Sequence, residues 1–182
     1  MRKHSNKKGF CIWITGLSAS GKTTTARQLR KIFLKNKNSI ILLDGDQLRQ
    51  VLEITAYDRA GRFEAGLKYA NLVKLLTDQG HNVVIAVIGL FHELHRWNRL
   101  NIGNYFEVFL DVPLTELSKR DPKGIYEAYR NAEVQNVAGL DLQVEYPLSP
   151  DLHVKFNKLR SAKQIAEQIY IALKSAGLKK HL

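Results

Sequence analysis

The sequence predicts an α/β protein with a mainly parallel five-stranded sheet flanked by helices, and three observations predict it. Strand-like and helix-like patterns alternate from Phe10 to the C-terminal region, as in sheets covered on both faces. A complete Gly-x-x-x-x-Gly-Lys-Thr run, Gly16 to Thr23, separates the first apolar run from the first helical pattern. The same run, Asp44 and Gly89 all fall at C-terminal ends of strand-like segments, the edge where ligands gather in open sheets.

Taken in order, Phe10 to Thr15 is short, apolar and rich in β-branched and aromatic residues, as a buried parallel strand should be. Thr24 to Leu34 carries Ala26, Leu29, Ile32 and Phe33 at helical spacing. Ser39 to Leu43 reads as the second strand and delivers Asp44-Gly45-Asp46 at its end. Arg62 to Gln79 is a helix with Phe63, Leu67, Ala70, Val73 and Leu76 on one face and Gly80 as its stop. Asn82 to Ile88 is a continuous buried strand, followed by a helix from His92 to about Asn101. Tyr105 to Val112 is the fourth strand, terminated by Asp111-Val112-Pro113. A polar segment from about Leu114 to Pro150 reads as helices joined by a mobile loop, with a lid over about residues 117 to 150. Leu152, Val154 and Phe156 alternate as a short last strand, and Ser161 opens a final helix with a capping box to Gln164. The expected organisation is one domain over residues 9 to 182 behind a basic, disordered tail, residues 1 to 8.

The glycine-lysine run carries the chemistry. Gly16 and Gly21 let the backbone turn tightly, so the amides of Leu17, Ser18, Ala19, Ser20 and Gly21 face a triphosphate, joined by those of Lys22, Thr23 and Thr24 at the helix start. Lys22 supplies a mobile positive charge, and the Thr23 hydroxyl is the expected Mg²⁺ ligand. The fold class is therefore a three-layer P-loop NTPase with Mg²⁺ and ATP. Phosphoryl transfer also needs cations around the moving group and a carboxylate near the acceptor hydroxyl. Asp44 and Asp46 are placed for the carboxylate role, to take a hydroxyl proton or hold a metal-bound water. Arg49 and Arg59 can clamp an anionic acceptor. Arg120 and Lys123 fall in the lid, where closure excludes water.

The formal net charge of +11 invites a nucleic-acid partner, but its distribution does not favour one. Residues 1 to 43 hold ten Lys/Arg and no acidic residue, whereas the rest of the chain is nearly balanced. A basic tail and the solvated face of the first helix account for the excess, and the field favours small anionic nucleotides. The lone Cys11 reads as a small buried hydrophobe and leaves no internal disulfide, in keeping with a cytoplasmic location. The longest apolar stretch, Val83 to Phe91, is too short for a bilayer, and no secretory signal is recognisable. His92 and His95 share a helix face without further zinc ligands nearby, and Trp13 and Trp97 read as packing residues.

Several runs together resemble the adenylylsulfate (APS) kinases. They are Ile14 to Thr23, Leu43-Asp44-Gly45-Asp46 with Arg49, Asp58-Arg59, Phe106 to Leu114, and Arg120 to Tyr126 with Arg130. Gly139-Leu140-Asp141, followed by Glu145, Pro147, Pro150 and Leu152, extends the likeness, which covers about residues 9 to 173. Gluconate, shikimate and nucleoside monophosphate kinases would share the loop without the later runs. The resemblance implies Mg-ATP as donor and the ribose 3′-hydroxyl of a small anionic nucleotide as acceptor. It implies Asp44 as base, Lys22 and Lys123 as catalytic cations, and Arg120 beside ATP. Asp46, Arg49, Ile54, Arg59, Arg62, Lys123, Val137 and Leu140 are the expected acceptor contacts. Dimers are common among such kinases, which leaves a homodimer open.

The departures lie on the acceptor side. Such kinases hold the acceptor's adenine between two phenylalanines, and here those positions are Ile54 and Val137. Losing both faces forfeits about 1 to 3 kcal/mol of stacking per face. The family's Asn-Ile-Arg-Arg run becomes Arg62-Phe63-Glu64-Ala65, and its Ile-Ser-Pro-Tyr-Arg becomes Ile88-Gly89-Leu90-Phe91-His92. A serine discussed as a phosphoryl carrier is therefore Gly89, and no covalent relay runs there. Two acceptors stay open: APS, and cytidine diphosphoramidate, whose smaller base suits aliphatic walls. A reading of another class, a non-catalytic nucleotide- or polyanion-binding module, is opposed by the joint retention of Lys22, Thr23, Asp44 and Lys123.

Overall fold

Every residue of β1 (Cys11–Thr15) is buried, because it is the central strand and both its faces are covered. The computed structural model describes residues 8–178, so the tail expected over residues 1 to 8 lies, apart from Lys8, outside the described residues. Around β1 lie β2 (Ile41–Asp44), β3 (Val83–Ala86), β4 (Tyr105–Asp111) and β5 (Leu152–Lys155), in the order β2-β3-β1-β4-β5. All four pairings are parallel. Ile14 and Asp44 both pair with Ala86, so the loop after β1 and the end of β2 emerge at the same level of one sheet edge.

The alternation of side chains along β1 divides the core. Ile12 and Ile14 pack with Leu29 and Phe33 of α1 (Lys22–Lys35) and with Ile169 and Leu173 of α7 (Ala162–Ser175). Cys11 and Trp13 face the other way, against Ala70 and Val73 of α3 (Arg59–Asp78) and Leu94 of α4 (His92–Asn101). Each such fully buried aliphatic side chain contributes roughly 1.5–3 kcal/mol of transfer free energy. Burial also pushes the Cys11 thiol well above its usual range. No helix among the described residues is long and apolar enough to cross a membrane.

The elements follow the sequence expectations with local differences. The helix after residue 58 begins at Arg59 rather than Arg62, because the Asp58 side chain caps it by accepting from the Gly61 amide at 2.9 Å. The second strand starts at Ile41 and takes in Asp44, and the last ends at Lys155, short of Phe156. The capping box of Ser161 and Gln164 is formed in both directions. Residues 45–51, for which the sequence pattern predicts no element, form a helix, α2 (Gly45–Val51). It spans two turns and buries Leu48 alone, so it has no apolar stripe for a periodicity argument to detect.

The segment beyond β4 is packed over the first loop. Within it lie α5 (Leu114–Arg120) and α6 (Ile125–Arg130). Leu117, Tyr126, Ala138 and Leu142 form a third apolar cluster with Leu17, Leu90 and Phe109. The Tyr126 hydroxyl donates to the Ser18 carbonyl at 3.1 Å, tying α6 directly to the loop after β1.

Candidate functional site

The loop after β1 has the backbone of an anion cradle. Gly16 and Gly21 adopt φ of 150° and 92°, and a Cβ on Gly16 would stand 2.7 Å from the Leu110 carbonyl. Gly21 caps α1 with no side-chain bond and no acid stands in the first turn, so the helix presents its N–H groups and positive dipole end outward. The Lys22 ammonium folds back over the loop, donating to the Leu17 carbonyl at 2.6 Å and lying 3.5 Å from Ser20 Oγ. Burial lowers its pKa to about 8 despite the attraction of Asp46 and Asp44.

That lowered value has a kinetic consequence. In the free protein Lys22 is charged below about pH 8 and loses its proton above it, so the attraction for a triphosphate is present at low pH and lost as pH rises. We predict that kcat/KM for ATP is flat near neutrality and declines through about pH 8, while kcat holds to higher pH because bound triphosphate favours the ammonium. A kcat/KM profile flat to about pH 9.5 would contradict this role.

Thr23 and Asp44 meet at the centre of the site. Thr23 Oγ1 donates to Asp44 Oδ2 at 2.6 Å, and Asp44 Oδ1 accepts from the Asp46 amide at 3.0 Å, capping α2. Asp44 is 7% exposed, so the carboxylate has a fixed orientation with lone-pair positions still free. A hydroxyl and a carboxylate side by side beside a phosphate cradle form a hard oxygen set that fits Mg²⁺. Among the described residues no group of three or more His, Cys, Asp or Glu could hold a metal alone. Mg²⁺ here would therefore rest on Thr23, Asp44 and the oxygens of the nucleotide itself. Lys123, between α5 and α6, pairs with the Asp46 carboxylate, and Arg120 Nη1 lies 3.5 Å from the Ala19 carbonyl.

Ser18, Ala19, Gly21, Lys22, Thr23, Thr24, Asp44, Asp46, Arg120 and Lys123 line one cavity of about 910 Å³, near the upper end of the range for ligand sites, whereas Gly16, Leu17 and Ser20 of the loop are not among its lining residues. Its other end is more apolar, with Ala65, Gly66, Phe91, Val137, Ala138, Leu142 and Val144. Arg49, Arg62 and Val137 line it, whereas Ile54, Arg59 and Leu140 do not. Ile54 packs against the apolar cluster under α3. Arg59 pairs with Glu145 at 2.5 Å and lies over the Phe91 ring, and Leu140 is partly exposed outside the cavity. Arg49 Nη1 donates to the Ile54 and Ala56 carbonyls at 3.3 and 2.9 Å.

Sequence reasoning missed Tyr57. Its ring lines the cavity with the Arg49 guanidinium 4.2 Å from the centroid, and Arg62 binds its carbonyl. The available signal was an aromatic immediately before Asp58-Arg59. Glu145 is a second such case in role, since it accepts from the His92 amide at 2.7 Å and from Arg59, bonds that hold its carboxyl below the usual range.

Behind the site lies a buried polar layer. His95 Nε2 donates to the Gly89 carbonyl at 2.8 Å, which fixes the backbone at the cavity wall, and burial lowers its pKa to about 4. It is a neutral core histidine. His92 is at the surface with its ring bonded to the Tyr146 carbonyl. Trp13 is fully buried and Trp97 packs against the same cluster.

Comparison with known proteins agrees with this geometry. The family model for adenylylsulphate kinase matches residues 8–155. A cytidine diphosphoramidate kinase of Campylobacter jejuni is 40% identical over 93% of this chain and 97% of its own length. An adenylyl-sulfate kinase of Pseudomonas aeruginosa is 38% identical over 79% of this chain and 74% of its own. The structure of the Mycobacterium tuberculosis APS kinase in complex with AMPPNP and APS superposes with a TM-score of 0.85 at 33% identity, covering 92% of this chain and 98% of that one.

Proposed function

Because this chain belongs to the adenylylsulfate kinase family, we propose that it transfers the γ-phosphoryl group of Mg-ATP to the ribose 3′-hydroxyl of a cytidine nucleotide of the diphosphoramidate kind. The observation that carries this reading is the asymmetry of the cavity. The phosphate end keeps the cradle, with Lys22 folded over the loop and Thr23 bonded to Asp44, while Val137 gives the other end an aliphatic wall and Ile54, half-buried against the cluster under α3, is not among the cavity-lining residues. Adenine would lose both stacking faces there, about 1 to 3 kcal/mol each, and a smaller pyrimidine loses less. The Campylobacter relative supports the same choice. APS is the second reading, favoured by the likeness to the Mycobacterium enzyme solved with that nucleotide.

In the proposed reaction the α1 amides and Lys22 bind and orient the triphosphate, leaving its terminal phosphoryl group toward Asp44. Mg²⁺ bound with the nucleotide would neutralise charge on the β- and γ-oxygens. Asp44, held by Thr23 and the Asp46 amide, accepts the proton of the 3′-hydroxyl as its oxygen bonds the γ-phosphorus and the bridge to ADP breaks. Asp46 holds Lys123 over the same space, and Arg120 joins it from the segment 117–150. That segment acts as the lid that excludes water and suppresses ATP hydrolysis. ATP supply and the lone buried thiol suit a cytoplasmic setting.

The test is a coupled ADP-release assay on purified protein with cytidine diphosphoramidate and APS in parallel. Cytidine diphosphoramidate is expected to show the higher kcat/KM, by at least about tenfold. A preference for APS would establish the second reading, and equal, poor rates with both would sink both.

A further inference from the structure

Arg62 joins two walls of the cavity's apolar end. Its Nε donates to the Tyr57 carbonyl at 2.7 Å and its Nη2 to the Asn136 carbonyl at 2.7 Å, residues far apart in the chain. The guanidinium is therefore held in one plane with part of its five N–H donors still free, and it lines the cavity. Its surroundings indicate what it meets. The Asp141 carboxylate accepts from the Asn136 and Val137 amides at 2.7 and 2.6 Å, and its charge acts on Arg62. Val137, Ala138 and Leu142 stand beside that turn. The aliphatic walls suit an uncharged, flat ring, and Asp141, which is not among the lining residues, partly offsets the positive charge that Arg49 places beside Arg62.

We propose that Arg62 selects the acceptor's base, donating from its remaining N–H edge to two adjacent acceptor atoms, O2 and N3 of a cytosine. This rests on the reading of the chain as a cytidine nucleotide kinase and adds the residue that reads the ring. A guanidinium fork needs neighbouring acceptors, as in its pairing with the paired acceptors of guanine in nucleic acids. Adenine offers on its Watson–Crick and Hoogsteen edges one acceptor beside the N6 amino donor, which a fork opposes. Uracil alternates acceptor, donor and acceptor. Guanine has two adjacent acceptors at O6 and N7, but on a larger ring. The Tyr57 ring, its centroid 5.4 Å from Arg62 Cζ, supports the fork from one side.

The experiment uses the full chain as wild type, Arg62→Ala and Arg62→Lys, with the cytidine, adenosine and guanosine diphosphoramidates as acceptors. All three share one end group, so only the base varies. Wild type is expected to favour cytidine by about a hundredfold or more, since a site built to hydrogen-bond its substrate rejects a mismatched partner strongly. Arg62→Ala should lower kcat/KM for the cytidine acceptor by at least about thirtyfold, change the adenosine value less than about threefold, and leave the KM for ATP in place. Arg62→Lys keeps the charge without the planar fork and should fall with it; if the alanine variant does not fold by thermal melting, the lysine variant decides. Equal losses on all three acceptors, which a phosphate contact or a mere clip between walls would produce, overturn the proposal. So does a cytidine preference that survives in both variants, or a wild-type preference for guanosine. A wild type that prefers cytidine while both variants keep that preference, or lose equally on all three acceptors, leaves the proposed function standing without Arg62. One that phosphorylates APS and no cytidine acceptor removes both.

Discussion

Lys22→Ala is expected to lower kcat/KM for ATP by about a thousandfold, the largest effect of any single substitution here. The ammonium already lies over the loop, 2.6 Å from the Leu17 carbonyl, so it reaches the triphosphate by a side-chain rotation with no backbone rearrangement. Charge that develops on the transferring group is stabilised by such a preorganised cation, and loss of one such contact removes about 10² to 10³ in rate. Weakened ground-state binding adds to that loss. Folding should survive, because burying the charged form costs free energy, as the lowered pKa records, and alanine keeps the helical start of α1. The checks are steady-state kinetics and a thermal melt. A variant that melts as wild type and loses less than about tenfold in kcat/KM would place Lys22 outside the chemistry.

Asp44→Asn is expected to cut kcat by at least about a hundredfold while ATP binding stays within about threefold. Asparagine retains a side-chain oxygen for the Asp46 amide and so keeps the cap of α2. It cannot take the hydroxyl proton, and its amide group meets the Thr23 hydroxyl as a donor rather than an acceptor. Kinetics paired with calorimetric titration of ATP, with and without Mg²⁺, separates two roles. A selective loss of kcat marks the base, whereas a loss of Mg²⁺-dependent ATP affinity marks support of the metal through Thr23. Near-normal turnover would remove Asp44 from the mechanism altogether.

The donor end of the site was legible in the order of the residues. Gly16, Gly21, Lys22 and Thr23 act through backbone turns and a helix start that are local in the chain, so their spacing already specifies their geometry. Asp44 was legible for a related reason: a strand pattern that ends in Asp-Gly-Asp delivers the carboxylate to the same sheet edge as the loop, and the register of β1, β2 and β3 puts it there. The strands of the core were equally readable, because burial on both faces leaves continuous apolar runs.

The acceptor end was not legible in that way. Ile54 and Val137 could be named as replaced positions, but only the packed structure shows Val137 on the cavity wall and Ile54 half-buried against the cluster under α3, not among the lining residues. The joining of residues 57 and 136 by one guanidinium, the pairing of Lys123 with Asp46 and the bond from His95 to the Gly89 carbonyl all link segments with no shared periodicity. Helix α2 escaped notice because it buries a single leucine.

What the sequence determined alone was therefore the alternating α/β architecture, the triphosphate cradle and the carboxylate facing it, each encoded within a few consecutive residues by turn geometry and strand or helix period. Which side chains bound the acceptor's base was decided only when distant segments came together, since a pocket wall exists through contacts between them and carries no spacing of its own along the chain.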